Sequence, residues 1–137
     1  MSTLLLDTGP LFAYLSENDA NHDWAITQFA AIQEPMVTCE PVLAEAVYLL
    51  SQRGGNPDGI WSFLRRGMIR VPFRLDVEFE SIAVLMRRYA DVPMDLADAC
   101  LIRLAELHHD CRVFTTDSDF RIYRRFGRQV IPILFPD

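Results

Sequence analysis

The run Thr3–Leu6 (TLLL), which leads directly into Asp7, is the strongest strand signal in this sequence. A short apolar run of this kind is typical of a β-strand that is buried on both faces, as the strands of parallel sheets are. The segment Arg112–Thr116 repeats the pattern and leads directly into Asp117. Segments with helical periodicity lie between such runs. This alternation predicts an α/β fold in which helices cover both faces of a parallel sheet.

The patterns along the whole chain predict five strands and seven helical segments. The predicted strands cover residues 3–6, 36–39, 68–73, 112–116 and 129–134. The predicted helices cover residues 11–15, 19–33, 41–53, 56–67, 76–90, 95–109 and 117–126. No internal repeat, low-complexity tract or linker divides them, and 137 residues is a usual length for one domain. We therefore expect a single domain over residues 1–137.

The composition excludes several classes of protein. All 13 basic residues are arginine, so enzymes that depend on a Schiff-base lysine or a phosphate-loop lysine are excluded. The formal net charge of −6 makes the whole chain a poor non-specific binder of nucleic acid, although local arginine clusters could still bind one. No apolar run approaches the roughly 18–20 residues that span a bilayer, so no membrane association is expected. Three cysteines in apolar segments indicate buried thiols in a reducing cytoplasm.

Two acidic residues follow directly on predicted strands. Asp7 comes after the first strand and Asp117 after the fourth, with Asp119 two residues further on. Ligands of open parallel sheets bind beyond the carboxyl ends of the strands, so we expect these carboxylates at the same edge of the sheet. Each of them could instead be a turn or N-cap residue, because aspartate favours both positions.

Two further acids lie on predicted helices. Glu45 is the one charged residue in the segment 41–52, and a carboxylate beside a buried face is costly unless it is paired or binds a cation. The simpler alternative is that Glu45 borders solvent. Asp98 lies in the first turn of the helix that Asp95 opens. The simpler alternative there is an N-cap, Asp95, followed by an acid that the helix dipole favours.

These four acids would together form a cluster of negative charge that needs cations to be stable. Ligation by carboxylate oxygens alone selects Mg²⁺ or Mn²⁺ over zinc or copper. Such ions activate water and neutralise the charge that develops on a phosphoryl group, so the cluster indicates metal-assisted phosphodiester hydrolysis. The sequence has no C-x-x-C, H-E-x-x-H, G-x-S-x-G or G-x-G-x-x-G motif, which removes the main competing kinds of site.

Arginines could supply contacts to a phosphate backbone, because the guanidinium group recognises phosphate in a bidentate way. Arg121, Arg124 and Arg125 follow Asp117 within one predicted helix, which puts them closest to the expected acidic site. We therefore predict that these three side chains contact the phosphate backbone of a nucleic-acid substrate. The simpler alternative is that they keep a surface helix soluble.

Four segments, taken in order, resemble the PIN-domain ribonucleases, and in particular the VapC toxins of VapBC toxin–antitoxin pairs. They are LLLDTGPLFAYL (4–15), EPVLAEAVYLL (40–50), MDLADACLIRLAE (94–106) and FTTDSDFRIYRRF (114–126). No single motif is decisive, but the ordered set spans essentially the whole chain. The resemblance implies a three-layer α/β/α fold with a central parallel sheet of about five strands. It also implies an endoribonuclease site that depends on Mg²⁺ or Mn²⁺.

The resemblance assigns the site residue by residue. The four acids of the family match Asp7, Glu45, Asp98 and Asp117. Thr8 and Thr115 match hydroxyl positions that often support such a site. Asp119 is an alternative to Asp117 as the last metal ligand, and Asp95 recurs beside the third acid as a supporting group. The resemblance further implies a homodimer, an RNA substrate, and an antitoxin protein whose C-terminal segment blocks the acidic cleft.

We therefore predict a divalent-metal-dependent endoribonuclease that is the toxin of a toxin–antitoxin pair. Asp7, Asp98 and Asp117 are expected to hold the metal. Glu45 is expected to ligate the metal or to orient the attacking water. Three alternatives are an RNA-processing nuclease that is not a toxin, a Mg²⁺-dependent hydrolase of small phosphoesters, and a binding module with a vestigial site.

Overall fold

The structure, a computed structural model, describes residues 2–137, which form six α-helices and two β-sheets. The helices are α1 (Thr8–Leu15), α2 (His22–Ala31), α3 (Glu40–Gln52), α4 (Asp58–Arg65), α5 (Leu75–Arg88) and α6 (Leu96–Leu107). The strands are β1 (Thr3–Leu6), β2 (Met36–Val37), β3 (Ile69–Arg70), β4 (Cys111–Phe114), β5 (Arg124–Arg125), β6 (Gln129–Val130) and β7 (Ile133–Leu134). A 3₁₀ turn at Ser118–Arg121 follows β4.

The main sheet has five parallel strands in the order β3-β2-β1-β4-β7. The chain passes from β1 outward to β2 and β3, and then returns to the other side of β1 to form β4. The strand order therefore reverses between β1 and β4, which pair from Thr3↔Cys111 to Leu6↔Phe114. In an open α/β sheet such a reversal leaves a crevice beyond the carboxyl ends of the strands. Asp7 follows β1 at this crevice.

Helices cover both faces of the sheet, because successive residues of a strand point to opposite sides. Leu5 and Val113 pack into one core cluster with α5 and α6, whereas Leu6 and Phe114 pack into a second cluster with α1, α2 and α4. All four side chains are fully buried, and burial of each contributes about 1.5–3 kcal/mol to stability. The predicted three-layer α/β/α architecture with a five-stranded parallel sheet is confirmed.

Helices α1 and α6 each begin directly after an aspartate that caps them. Asp7 caps α1 by accepting the Thr8 N–H at 2.8 Å, and Asp95 caps α6 by accepting the Asp98 N–H at 2.8 Å. These bonds satisfy backbone donors that a helix N-terminus otherwise leaves unpaired. As a result α1 begins at Thr8, three residues before its predicted start.

Two of the predicted helices, those over residues 19–33 and 76–90, do not begin at the aspartates that open these ranges. Asp19 accepts the N–H of Asn21 at 2.9 Å within a turn, and α2 begins only after Asn21. Asp76 lies inside the first turn of α5, where it pairs with Arg74 at 2.6 Å. Aspartate favours turns and first helical turns as well as caps, so the sequence signal at both positions was ambiguous.

The prediction of a helix over residues 117–126 is wrong. After one 3₁₀ turn the chain runs along α6 as β5, which pairs antiparallel with β6. Phe126 and Gly127, with φ angles of 54° and 82°, turn the chain between these strands. The predicted strand 129–134 is divided accordingly, because β6 belongs to this hairpin and β7 to the main sheet. Hydrogen bonds to α6 outweigh the local helical spacing. In one of them the Phe126 N–H donates to Glu106 Oε2 at 2.7 Å.

The three cysteines are buried and free, as predicted. Buried thiols of this kind pack as small apolar side chains. Among residues 2–137, no helix combines the length and the apolar character needed to cross a membrane.

Candidate active site

Asp7 is held in place through both of its carboxylate oxygens. Oδ1 accepts the N–H of Thr8 at 2.8 Å, and Oδ2 accepts the hydroxyl of Thr115 at 2.7 Å. The residue is only 6% exposed. Because Asp7 follows β1 and Thr115 follows β4, the second bond joins the ends of the two strands at the point where the strand order reverses.

The same threonine also orients Asp117. The Thr115 hydroxyl accepts the Asp117 N–H at 2.9 Å, and its own hydrogen is donated to Asp7. Asp117 in turn begins the 3₁₀ turn, since its Oδ1 accepts the Asp119 N–H at 2.9 Å. One hydroxyl therefore connects Asp7 to the backbone of Asp117.

Asp98 enters the site from the first turn of α6 and is 7% exposed. Its Oδ2 accepts the hydroxyl of Tyr123 at 3.0 Å. The ring of Tyr123 is fully buried and packs edge-on against the rings of Tyr89 and Phe120. The structure thus places a buried phenol directly behind the carboxylate of Asp98.

Glu45 approaches from the second turn of α3 and is half-buried. The side chains of Thr8 and Asp95 both influence the pKa of its carboxyl group, which places them beside it. The Thr8 hydroxyl also lies 3.4 Å from the carbonyl oxygen of Val42, one turn earlier in α3. These contacts bring α3 against the first turns of α1 and α6.

Burial and repulsion between neighbouring carboxylates raise the pKa values of Asp7, Asp98 and Glu45. Burial, aided by the charges of Asp117 and Glu45, raises the pKa of Asp7 to about 6. Burial, aided by the charges of Asp95 and Asp7, raises the pKa of Asp98 to about 8. The pKa of Glu45 is also raised, first by burial and then by the charge of Asp95. Groups that influence one another in this way lie close together, so the structure brings the four predicted acids into one cluster beside Asp95.

The chemistry of this cluster fits a hard divalent cation. All of its charged groups are carboxylates, the ligands that Mg²⁺ and Mn²⁺ prefer, and a cation would relieve the repulsion between Asp7 and Asp98. In the part of the chain from 2 to 137, no group of three or more His, Cys, Asp or Glu side chains has the arrangement of a formed metal site. A bound ion would therefore have to draw these carboxylates together.

Asp119 lies at the margin of the acidic cluster. Its N–H donates to Asp117, and its charge contributes to the raised pKa of Tyr123. The charge of Asp117, by contrast, acts on Asp7, Glu45 and Asp98. Asp117 therefore lies nearer than Asp119 to the other three acids, and the choice between them as a metal ligand stays a prediction.

The three arginines that were predicted to contact RNA have different surroundings. Arg125 is 7% exposed, and its guanidinium group donates to the carbonyl oxygen of Ala105 at 3.0 Å and to the sulfur of Cys111 at 3.3 Å. It therefore joins β5 to α6, and its buried guanidinium group is not available for the predicted RNA contact. Arg121 is exposed but pairs with Asp137 at 2.9 Å.

Arg124 donates through Nη1 to three carbonyl oxygens of its own segment, those of residues 121, 122 and 123. The segment meets α6 first at Asp98, through Tyr123, and then at Ala105, through Arg125. The segment therefore leads away from the acidic cluster along α6. In the predicted helix, the arginines would instead have stayed close to Asp117. An RNA contact by Arg121 or Arg124 stays a prediction.

Tyr123 is the residue of this site that the sequence patterns did not indicate. A tyrosine in an apolar segment needs a hydrogen-bond partner once it is buried, which is the one signal available. Its partner, Asp98, lies 25 residues earlier on another element, so no local pattern identifies the pair.

The sequence model of the PIN-domain family matches residues 4–125 of this chain. This chain belongs to the PIN-domain family. The matched range contains all the acids of the cluster and Tyr123, and it ends within β5. Membership supports a nuclease activity for this PIN domain.

A solved structure gives a second comparison. The crystal structure of Mycobacterium tuberculosis VapC20, described as a Sarcin-Ricin loop cleaving toxin, is similar to this PIN domain with a TM-score of 0.77. The two chains are 22% identical, and the likeness covers 93% of this chain and 99% of that one. At this level of identity the likeness shows the shared fold alone. No curated protein matches the chain in sequence.

Proposed function

We propose that this PIN domain is a divalent-metal-dependent endoribonuclease and the toxin of a toxin–antitoxin pair. The observation that carries the proposal is the convergence of four carboxylates at the crevice between β1 and β4. They come from four separate places in the chain, although burial and repulsion oppose their assembly. Such perturbed acids in a crevice are typical of a functional site rather than of a stabilising one. The likeness in fold to a toxin that cleaves the sarcin-ricin loop supports RNA as the substrate.

The proposed mechanism gives each acid a role. Asp7, Asp98 and Asp117 would hold a Mg²⁺ or Mn²⁺ ion. When bound, such an ion activates a water molecule and neutralises the charge that develops on the phosphoryl group. Glu45 would ligate the ion or orient the water, and its raised pKa suits it to accept the proton of that water. Thr115 keeps Asp7 in position throughout.

The proposal also includes partners and a location. A toxin of this kind would be held inactive by an antitoxin protein, form a homodimer, and act in the cytoplasm, where its RNA substrate is. Partner chains would cover exposed apolar side chains such as those of Tyr48 on α3 and of Val77 and Phe79 on α5.

The first experiment compares the wild type with Asp7→Asn and Asp98→Asn. RNA is incubated with each protein in Mg²⁺ or Mn²⁺ and again in EDTA, and growth is followed after induced expression. Removal of a group that only supports a metal ligand usually lowers activity by about 10–100-fold. Removal of a ligand itself is therefore expected to lower RNA cleavage by more than about 100-fold. Asp76→Asn is the matched control, because this acid is exposed and lies on α5, outside the cluster.

The outcomes separate the proposal from its rivals. Cleavage and growth arrest by the wild type and Asp76→Asn alone would support a toxin that acts through its acidic site. Arrest by all four proteins would indicate harm through binding rather than catalysis. Metal-dependent cleavage without arrest would favour an RNA-processing nuclease. Cleavage of a generic phosphoester with RNA left intact would favour a small-phosphoester hydrolase.

A further inference from the structure

We propose that Tyr123 is a positioning residue of the acidic site, whose hydroxyl group fixes one oxygen of Asp98 and leaves the other for the metal. The inference rests on the proposed function, because it concerns the same cluster of carboxylates. It adds to the four acids and Thr115 a buried phenol from the residues that follow the 3₁₀ turn.

The contact between Tyr123 and Asp98 is specific. The phenolic oxygen lies 3.0 Å from Asp98 Oδ2, the tyrosine is fully buried, and the aspartate is 7% exposed. A hydroxyl group has a single hydrogen, and here it is directed at the carboxylate. Hydrogen bonds to ionised groups are stronger than those between neutral groups, so this bond restricts how the Asp98 side chain turns once its carboxylate is ionised, as a metal ligand has to be.

The position of the phenol is set by packing that does not involve Asp98. Its ring lies 5.2 Å from the ring of Tyr89 and 5.2 Å from that of Phe120, edge-on to both. The next residue, Arg124, donates its N–H to the hydroxyl of Tyr89 at 2.8 Å. The Tyr123 hydroxyl is therefore held in place in advance, as a group that orients a metal ligand has to be.

The same aromatic cluster contains a matched control. Tyr89 packs against Tyr123, but its hydroxyl accepts a backbone N–H and donates to none of the site acids in the described hydrogen bonds. Removing the hydroxyl of Tyr89 therefore tests the cluster's contribution to the fold. Removing the hydroxyl of Tyr123 tests two contributions together, that of the cluster to the fold and that of the hydroxyl to the position of Asp98.

The experiment measures Mn²⁺ binding by calorimetry on the full chain, for the wild type, Tyr123→Phe and Tyr89→Phe. Thermal unfolding and RNA cleavage kinetics are measured on the same samples. Tyr123→Phe is expected to weaken Mn²⁺ binding about 10-fold or more and to lower kcat, with the KM for RNA little changed. Tyr89→Phe keeps the ring that packs against Tyr123, so it is expected to lower the unfolding temperature and to weaken Mn²⁺ binding less than Tyr123→Phe does.

A second pair of variants isolates the contact itself. In the Asp98→Asn background, Tyr123→Phe is expected to cause no further loss of Mn²⁺ binding, because the ligand it positions is already removed. Equal Mn²⁺ affinity of the wild type and Tyr123→Phe would overturn the inference and leave the proposed function intact. Equal losses in the two tyrosine variants would overturn it as well. A wild type that neither binds Mn²⁺ nor cleaves RNA would overturn the proposed function together with the inference.

Discussion

Thr115 is the residue on which the geometry of two acids depends. Its hydroxyl accepts the Asp117 N–H and donates to Asp7, and the side chain is fully buried. A hydrogen bond to a charged group contributes about 1.5–3 kcal/mol. Loss of this hydroxyl would also leave a buried carboxylate oxygen with one partner fewer. The residue therefore stabilises the end of β4 and orients the site through one atom.

We predict that Thr115→Val lowers both Mn²⁺ affinity and RNA cleavage by about 10–100-fold, the usual effect of removing a group that supports a metal ligand. Valine has nearly the same shape, so the packing around β4 is kept while the hydroxyl is lost. Thr115→Ser retains the hydroxyl and is expected to stay within a few-fold of the wild type. Calorimetry with Mn²⁺ and cleavage assays check both variants. A Thr115→Val protein with wild-type Mn²⁺ affinity would contradict the assigned role.

At the scale of single residues, the sequence indicates those groups whose positions follow from local rules. Asp7 follows an apolar run and Asp98 lies in a first helical turn, and both positions can be identified without the fold. Tyr123 and Arg125 could not be assigned in this way. Their partners, Asp98 and Ala105, are separated from them by 25 and 20 residues, and packing alone brings them together.

At the scale of elements, the first turn of α1 packs closely against the residues that follow β4. A Cβ atom built on Gly9 would overlap the hydroxyl of Thr116. Glycine at this position therefore lets α1, which Asp7 caps, approach the residues that lead from β4 to Asp117. The site needs this approach, because Asp7 and Asp117 are linked through Thr115.

We predict that Gly9→Ala destabilises the protein by about 1–3 kcal/mol, the usual cost of an added methyl group in a closely packed region, and lowers RNA cleavage. Combining it with Thr116→Ala removes the overlapping hydroxyl and should restore most of the stability. Combining it with Thr116→Ser keeps the hydroxyl and should restore less. Thermal unfolding and cleavage assays on the three proteins provide the check. Equal stability of Gly9→Ala and the wild type would refute the close approach.

The same scale shows where the sequence patterns were misleading. The apolar residues of segment 117–126 have helical spacing, and a helix there satisfies every local rule. The chain instead leaves the 3₁₀ turn because Arg125 and Phe126 find hydrogen-bond partners at the C-terminal end of α6. Long-range partners outweigh a weak local preference, which amounts to a few tenths of a kcal/mol per residue. For strand β1 the local signal and the tertiary structure agree. Its apolar run predicts a strand that is buried on both faces, and the sheet buries it in this way.

At the scale of the whole molecule, the acidic cluster reduces the stability of the metal-free protein. Burial raises the pKa of Asp98 to about 8 and that of Asp7 to about 6, against a value of 3.8 for an unperturbed aspartate. Between these values the unfolded chain has released protons that the folded chain still holds. Stability therefore falls as pH rises, from about pH 4 to 6 through Asp7 and from about pH 4 to 8 through Asp98.

We predict that Asp98→Asn makes the metal-free protein more stable than the wild type at pH 8 by about 1–3 kcal/mol, since one pKa unit corresponds to about 1.4 kcal/mol and relaxation reduces the full effect. The difference should shrink toward pH 4, which lies close to the unperturbed pKa of 3.8, so that the unfolded chain also holds part of this proton, and asparagine can still accept the Tyr123 hydroxyl. Saturating Mn²⁺ should reverse the order at pH 8, because only the wild type gains the binding free energy, about 4.1 kcal/mol at 1,000 times Kd. Chemical denaturation at pH 4 and 8, with and without Mn²⁺, measures all of these quantities. A metal-free Asp98→Asn protein that is less stable than the wild type at pH 8 would show that this carboxylate stabilises the fold, and the assignment of the cluster to metal binding would lose its energetic basis.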